Sequence, residues 1–135
     1  MDNLALVKKA IEARQNAYAP YSNHRVGAAV ECEDGSIFLG CNVENCALPL
    51  GDCAERVAIY KAVSEGHTQF KKLAVVTGNE EISPPCGACR QVIREFCKDL
   101  EIIVANPNQK IKIFTLKELL PNSFGPEELK KGQDE

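Results

Sequence analysis

Three cysteines and one glutamate have the types and spacing to do chemistry: the run Cys53-Ala54-Glu55-Arg56 and the later run Pro84-Pro85-Cys86-Gly87-Ala88-Cys89-Arg90-Gln91. A Cys-x-x-Cys pair puts two sulfurs on one side of a metal ion. With a third thiolate from far along the chain, a tetrahedral zinc ion keeps one position open, as hydrolysis requires. Glu55 lies two residues from Cys53. It is close enough to reach water at the metal without being a ligand, which suits a general acid/base. Other readings compete. A lone Cys-x-x-Cys also occurs in redox motifs and in structural zinc sites, the latter implying a non-catalytic, zinc-stapled interaction module. A structural site needs a fourth protein ligand, and neither Cys46 nor a histidine stands at zinc-knuckle spacing. Glu55 could also complete a capping box with Asp52 at a helix start.

The flanking residues narrow the choice. Tyr21-Ser22, Val26-Gly27-Ala28-Ala29, Asn42-Val43-Glu44-Asn45, Cys53-Ala54-Glu55-Arg56 and Pro85-Cys86-Gly87-Ala88-Cys89-Arg90-Gln91 occur in order, followed by Leu119-Leu120-Pro121 and Phe124-Gly125-Pro126. In this ordered set the chain resembles the small, homotetrameric-type cytidine deaminases, over nearly its whole length. Cys53 takes the place where many zinc nucleobase deaminases carry histidine.

The resemblance implies a Zn2+ cofactor and hydrolysis of cytidine and 2'-deoxycytidine to uridine and 2'-deoxyuridine, with ammonia released, as in pyrimidine salvage. It implies Cys53, Cys86 and Cys89 as metal ligands and Glu55 as the proton carrier. Arg56 would donate to the ligand sulfurs and offset the charge that three thiolates place on a dication. Asn42 and Glu44 would hold the ribose hydroxyls, and the Ala54 backbone would meet the base. Phe124 would stack on the nucleoside from a neighbouring subunit, so active sites would be shared in a homotetramer. His24, Leu48 and Pro49 stand where the family usually has phenylalanine, tyrosine and glycine. With His24 as a pocket wall, these departures motivate an alternative, hydrolysis at C4 of a modified cytidine or cytosine nucleoside antibiotic.

Composition sets bounds. The 135 residues fit one domain, residues 1–135. Sixteen basic against nineteen acidic residues give a net charge of -3. The basic residues are scattered in short pairs, without the stripe that captures a nucleic-acid backbone. A free nucleoside is therefore the expected substrate, with no nucleic-acid partner. No apolar run approaches the roughly 20 residues of a bilayer span, so no membrane partner is expected. Seven cysteines without a signal peptide point to a reducing, cytoplasmic setting. Cys32, Cys41, Cys46 and Cys97 read as small core hydrophobes, and His67 as an exposed loop residue.

The elements that must position these groups follow from periodicity. Leu4, Val7, Ala10 and Ile11 predict a helix from about Asp2 to Ala17. Val26 to Glu33 and Ile37 to Asn42 predict a hairpin turning at Asp34-Gly35. Asp52 is expected to cap a helix from Cys53 to about Glu65, ended by Gly66. A buried strand from Phe70 to Thr77, a helix from near Cys86 and an apolar strand from Leu100 to Ala105 imply a parallel crossover. Ile111 to Thr115 reads as an outer strand, Leu116 to Leu120 as a short helix, and Lys130 to Glu135 as a frayed tail. The fold class is α/β, a mixed sheet with helices on both faces. It agrees with the three-layer α/β/α sandwich and five-stranded sheet that the resemblance implies.

Overall fold

The computed structural model describes residues 1–78 and 82–134. Helix α1 spans Asn3–Arg14, and it starts where the Asp2 carboxylate accepts from the Ala5 N–H at 2.8 Å. Strands β1 (Gly27–Cys32) and β2 (Ile37–Cys41) pair antiparallel. Their turn is closed by Gly35, whose φ of +90° a residue without Cβ adopts freely, and by the Ser36 N–H on the Asp34 carboxylate. Then come α2 (Ala54–Ser64), β3 (Phe70–Val76), α3 (Gly87–Phe96), β4 (Glu101–Ala105) and β5 (Ile111–Thr115). Helix α4 (Leu116–Leu119) opens with a Thr115/Glu118 capping box, and α5 spans Pro126–Asp134.

The five strands form one sheet in the order β2-β1-β3-β4-β5. β3 and β4 are parallel and joined through α3, while the other neighbouring pairs are antiparallel. Strand alternation sorts the core into two layers. Ala29, Ala74, Val76 and Ile103 face α1 and meet Leu6, Val7 and Ala10. Val30, Leu73, Val75, Ile102 and Val104 face the other way and meet Ala58, Ile59 and Ile93 of α2 and α3. Strands buried on both faces need apolar residues at every position, so Leu73–Val76 and Ile102–Ala105 read as continuous runs rather than alternating ones. Each fully buried Leu or Ile contributes about 1.5–3 kcal/mol.

One glycine bears directly on the site. A Cβ at Gly40 would lie 2.4 Å from the Ala58 nitrogen and 2.5 Å from the Ala54 oxygen. Helix α2 therefore rests on β2 backbone to backbone, and Gly40 sets the depth at which its N-terminus sits.

Several expectations need correction. Lys130 to Asp134 is the end of α5 rather than a frayed tail; Pro126 at the first helical position and Glu127 and Glu128 in the first turn favour a helix start, and Glu135 lies outside the described residues. Helix α1 ends at Arg14, short of Ala17, whose N–H closes a turn on the Arg14 carbonyl. Cys46 is exposed and is not a core residue, whereas Cys32 is buried and Cys41 and Cys97 are half-buried. His67 is half-buried: its ring packs on Phe38 with centroids 5.1 Å apart, and Nδ1 lies 3.4 Å from the Asp34 carboxylate.

Candidate metal centre and nucleoside pocket

The N-termini of α2 and α3 point into one cavity of about 400 Å³ at the C-terminal end of β3. Cys53 is the N-cap of α2, Cys86 is the N-cap of α3, and Cys89 lies in the first turn of α3. Neither N-cap makes a side-chain cap hydrogen bond. The expected cap, Asp52, lies one residue further out and its N–H goes to the Val43 carbonyl, so the capping-box reading of Glu55 fails.

The Cys53 and Cys86 sulfurs are 3.9 Å apart, those of Cys86 and Cys89 3.5 Å apart, and all three lie within 4.8 Å of one another. Ligands on a tetrahedral zinc ion at about 2.3 Å would have sulfurs about 3.8 Å apart. The three residues therefore fit zinc, and a fourth position remains to be filled from the cavity. A second set of metal-capable side chains, Cys32, Asp34 and His67, closes the far end of the β1–β2 hairpin.

The helix starts and Arg56 give these sulfurs a positive setting. Arg56 Nη2 donates to Cys53 Sγ at 3.4 Å, while Nη1 lies 3.5 Å from Asp52. Its buried Nε has no hydrogen-bond partner among the described residues. The Cys53 thiol is brought down to about 5, chiefly by a hydrogen bond from Cys89 and then by Arg56. Cys89 moves the opposite way, raised first by that same bond to Cys53 and then by burial. One negative charge is thus readily held by the trio.

Glu55 lies behind the sulfurs with only 5% of its surface exposed, and burial pushes its carboxyl up to about 7. A buried carboxyl with this affinity for a proton can both take and give one near neutral pH. Ala54, fully buried, lines the cavity beside it.

Across the cavity lie His24, Asn42 and Glu44. Asn42 joins two segments: its Oδ1 accepts from the Val26 N–H at 2.9 Å and its Nδ2 donates to the His24 carbonyl at 2.8 Å. Glu44 accepts from the Tyr21 and Ser22 N–H groups at 3.0 and 3.1 Å and from the Ser22 hydroxyl. These bonds, the Ser22 hydroxyl first, hold its carboxyl below the usual range. Leu48, 72% exposed in a short 3-10 turn (Leu48–Leu50), forms part of the rim.

Of the expected site residues, Cys89 and Arg56 stand at the sulfur cluster without lining this cavity, and Phe124 lies outside both the cluster and the cavity. It is 59% exposed and its carbonyl accepts from Gln91 at 2.9 Å. Sequence reasoning overlooked Thr77, Pro84 and Pro85, which also line the cavity. Thr77 could have been found as the polar residue that ends an apolar strand; its buried hydroxyl has no hydrogen-bond partner among the described residues. The prolines are fixed by Arg90, which donates to the carbonyls of Pro85 and Leu119 at 2.7 Å each.

Comparison with known proteins points the same way as the geometry. Residues 1–105 match the family model described as the cytidine and deoxycytidylate deaminase zinc-binding region. The chain is 48% identical over 130 residues to a cytidine deaminase of Sporosarcina psychrophila, covering 96% of each chain. It is 45% identical over 130 residues to one of Halalkalibacterium halodurans, covering 96% of this chain and 98% of the relative. Among solved structures, a cytidine deaminase from Burkholderia pseudomallei superposes with a TM-score of 0.88 at 43% identity, covering 92% of this chain and 100% of the other.

Proposed function

The chain belongs to the zinc-binding cytidine and deoxycytidylate deaminase family, and from that premise we propose that its cavity hydrolyses cytidine and 2'-deoxycytidine at C4. Water and cytidine become uridine and ammonia, so nothing is oxidised or reduced. The observation that carries this reading is the buried Glu55 carboxyl beside three sulfurs spaced for zinc, with Glu55, Cys53 and Cys86 lining one cavity.

Cys53, Cys86 and Cys89 would hold the zinc, which would supply a Lewis acid able to make water a nucleophile near neutral pH. Glu55 accepts the proton that water gives up, delivers it to ring N3, and later carries a proton to the departing amine. Its burial raises the carboxyl's affinity for the proton it carries between these transfers. Arg56, donating to Cys53, draws charge from the thiolates. Asn42 and Glu44 anchor the sugar, so that remote binding energy aligns the base. The Ala54 backbone contacts the base, and His24 walls the pocket.

The partner is a small nucleoside; among the described residues the cavity lining includes Glu44, Asp52 and Glu55 but no Lys or Arg, a poor lining for a nucleic-acid backbone. No helix among the described residues is long and apolar enough to cross a membrane. Seven free cysteines support a reducing, cytoplasmic setting, and the proposed hydrolysis of a free nucleoside supports a role in pyrimidine salvage. The exposed Phe124 supports a homotetramer with shared sites. A second reading, turnover of N4- or sugar-modified cytidines, is favoured by the outward position of Leu48 at the rim.

Incubation of the purified protein with cytidine, deoxycytidine and modified analogues tests both. One ammonia per nucleoside consumed, with cytidine or deoxycytidine preferred, is the expected result. Turnover confined to the modified analogues would favour the second reading, and no ammonia from any of them would rule out both.

A further inference from the structure

We propose that Ser22 is a positioning residue for sugar recognition, its hydroxyl fixing the Glu44 carboxylate so that one oxygen faces the ribose. This rests on the reading above that Glu44 anchors the sugar. A carboxylate offers about four acceptor directions over its two oxygens. In Glu44 the chain takes three of them: Oε1 receives the Tyr21 and Ser22 N–H groups, and Oε2 receives the Ser22 hydroxyl. One direction on Oε2 remains, and Glu44 lines the cavity. Because the carboxylate is an acceptor only, a ligand group on that oxygen must be a donor, such as a sugar hydroxyl.

Ser22 also joins the two segments of the sugar side. While its hydroxyl donates to Glu44, its oxygen accepts from the His24 N–H at 3.0 Å, and the His24 carbonyl in turn receives the Asn42 amide. Ser22 thereby ties His24 and Glu44 to one hydroxyl. Alanine at position 22 would free Oε2 to turn and would leave the His24 N–H without its partner. The two backbone bonds to Oε1 would remain, so Glu44 would stay in place with its outward oxygen unfixed.

The test is steady-state kinetics of Ser22→Ala, Ser22→Thr and Glu44→Gln on cytidine, 5'-deoxycytidine and 2',3'-dideoxycytidine. Ratios between substrates on one variant are independent of how much of it is folded. Removing a hydrogen bond to a charged group is expected to raise the cytidine KM of Ser22→Ala about tenfold, with kcat within about twofold of wild type. The truncated nucleoside that lacks the hydroxyl held by Glu44 should be unaffected, and Ser22→Thr should restore cytidine. Equal losses on all three substrates would make Ser22 merely structural and overturn the proposal, as would no loss on any. An unchanged cytidine KM in Glu44→Gln would remove the sugar anchor itself. Absence of wild-type turnover would instead defeat the functional reading on which this one rests.

Discussion

At the residue scale the site works by setting protonation states with few groups. Three thiolates would leave a zinc dication over-neutralised and a weak acid toward water. In the proposed site Arg56 would offset this, since it donates to Cys53 and that bond, first among the causes, raises its guanidinium pKa. Glu55 is tuned the other way, since removal from water favours its neutral form and makes it a proton store. Glu55→Gln keeps the shape and removes the proton, so turnover should fall by at least about 10² to 10⁴-fold while zinc content stays near one per chain. Activity close to wild type in that variant would take Glu55 out of the chemistry. His24→Phe tests the other wall. Restoring the aromatic face should lower the cytidine KM a few-fold, because aromatic packing is worth about 0.5–1.5 kcal/mol beyond area burial. An unchanged KM would mean that His24 serves only through its backbone bonds to Ser22 and Asn42.

At the element scale, the chemistry depends on two helix starts held at one depth. Gly40 sets that depth for α2, and Gly40→Val should drive the helix off β2. The expected result is a loss of about 1–3 kcal/mol or more in stability, seen as a lower Tm in thermal unfolding, together with reduced kcat. Wild-type Tm and rate would show that α2 is positioned by other contacts. In the proposed site a metal would link the same two helices, so chelation should lower Tm and metal readdition should restore it. This scale also shows what the sequence could convey. The Asp34-Gly35 turn, the apolar runs of β3 and β4 and the cysteines at helix starts all follow from local rules, and the structure has each of them. The start of α2 was misplaced by one residue because Asp52 is a better side-chain cap than Cys53, yet its N–H is drawn into a bridge with Val43. His67 and Cys46 were misjudged for a related reason. Burial there depends on Phe38 and Asp34, or on a loop facing outward, and no periodicity encodes such meetings. The Ser22–Glu44 bonds span 22 residues and were equally invisible, although both residues stood in the motifs that carried the resemblance.

At the scale of the whole molecule, the feature to be explained is an aromatic ring held out from the surface on a fixed backbone. Gln91 binds the Phe124 carbonyl, and next to it Arg94 donates to Ser123 at 2.8 Å and to both oxygens of Glu127 at 2.8 and 3.1 Å. Arg94 is itself 7% exposed, so the segment is anchored at a buried point while the ring stays 59% exposed. The proposed homotetramer would cover this ring with a partner surface. In a homotetramer with shared sites, that surface is a neighbour's nucleoside cavity. Light scattering should therefore give four times the 14.8 kDa chain mass, and Phe124→Ala should raise the nucleoside KM about tenfold or less without loss of zinc. An active monomer would refute the shared site at once. The sharper experiment mixes subunits. When Glu55→Gln and Phe124→Ala chains are dissociated and reassembled together, some cavities receive an intact Glu55 from one chain and an intact Phe124 from the other. Those cavities should have the wild-type KM, so a low-KM component should emerge that neither parent shows alone. If the mixture behaves only as the weighted sum of its two parents, Phe124 acts within its own chain and the site is not shared.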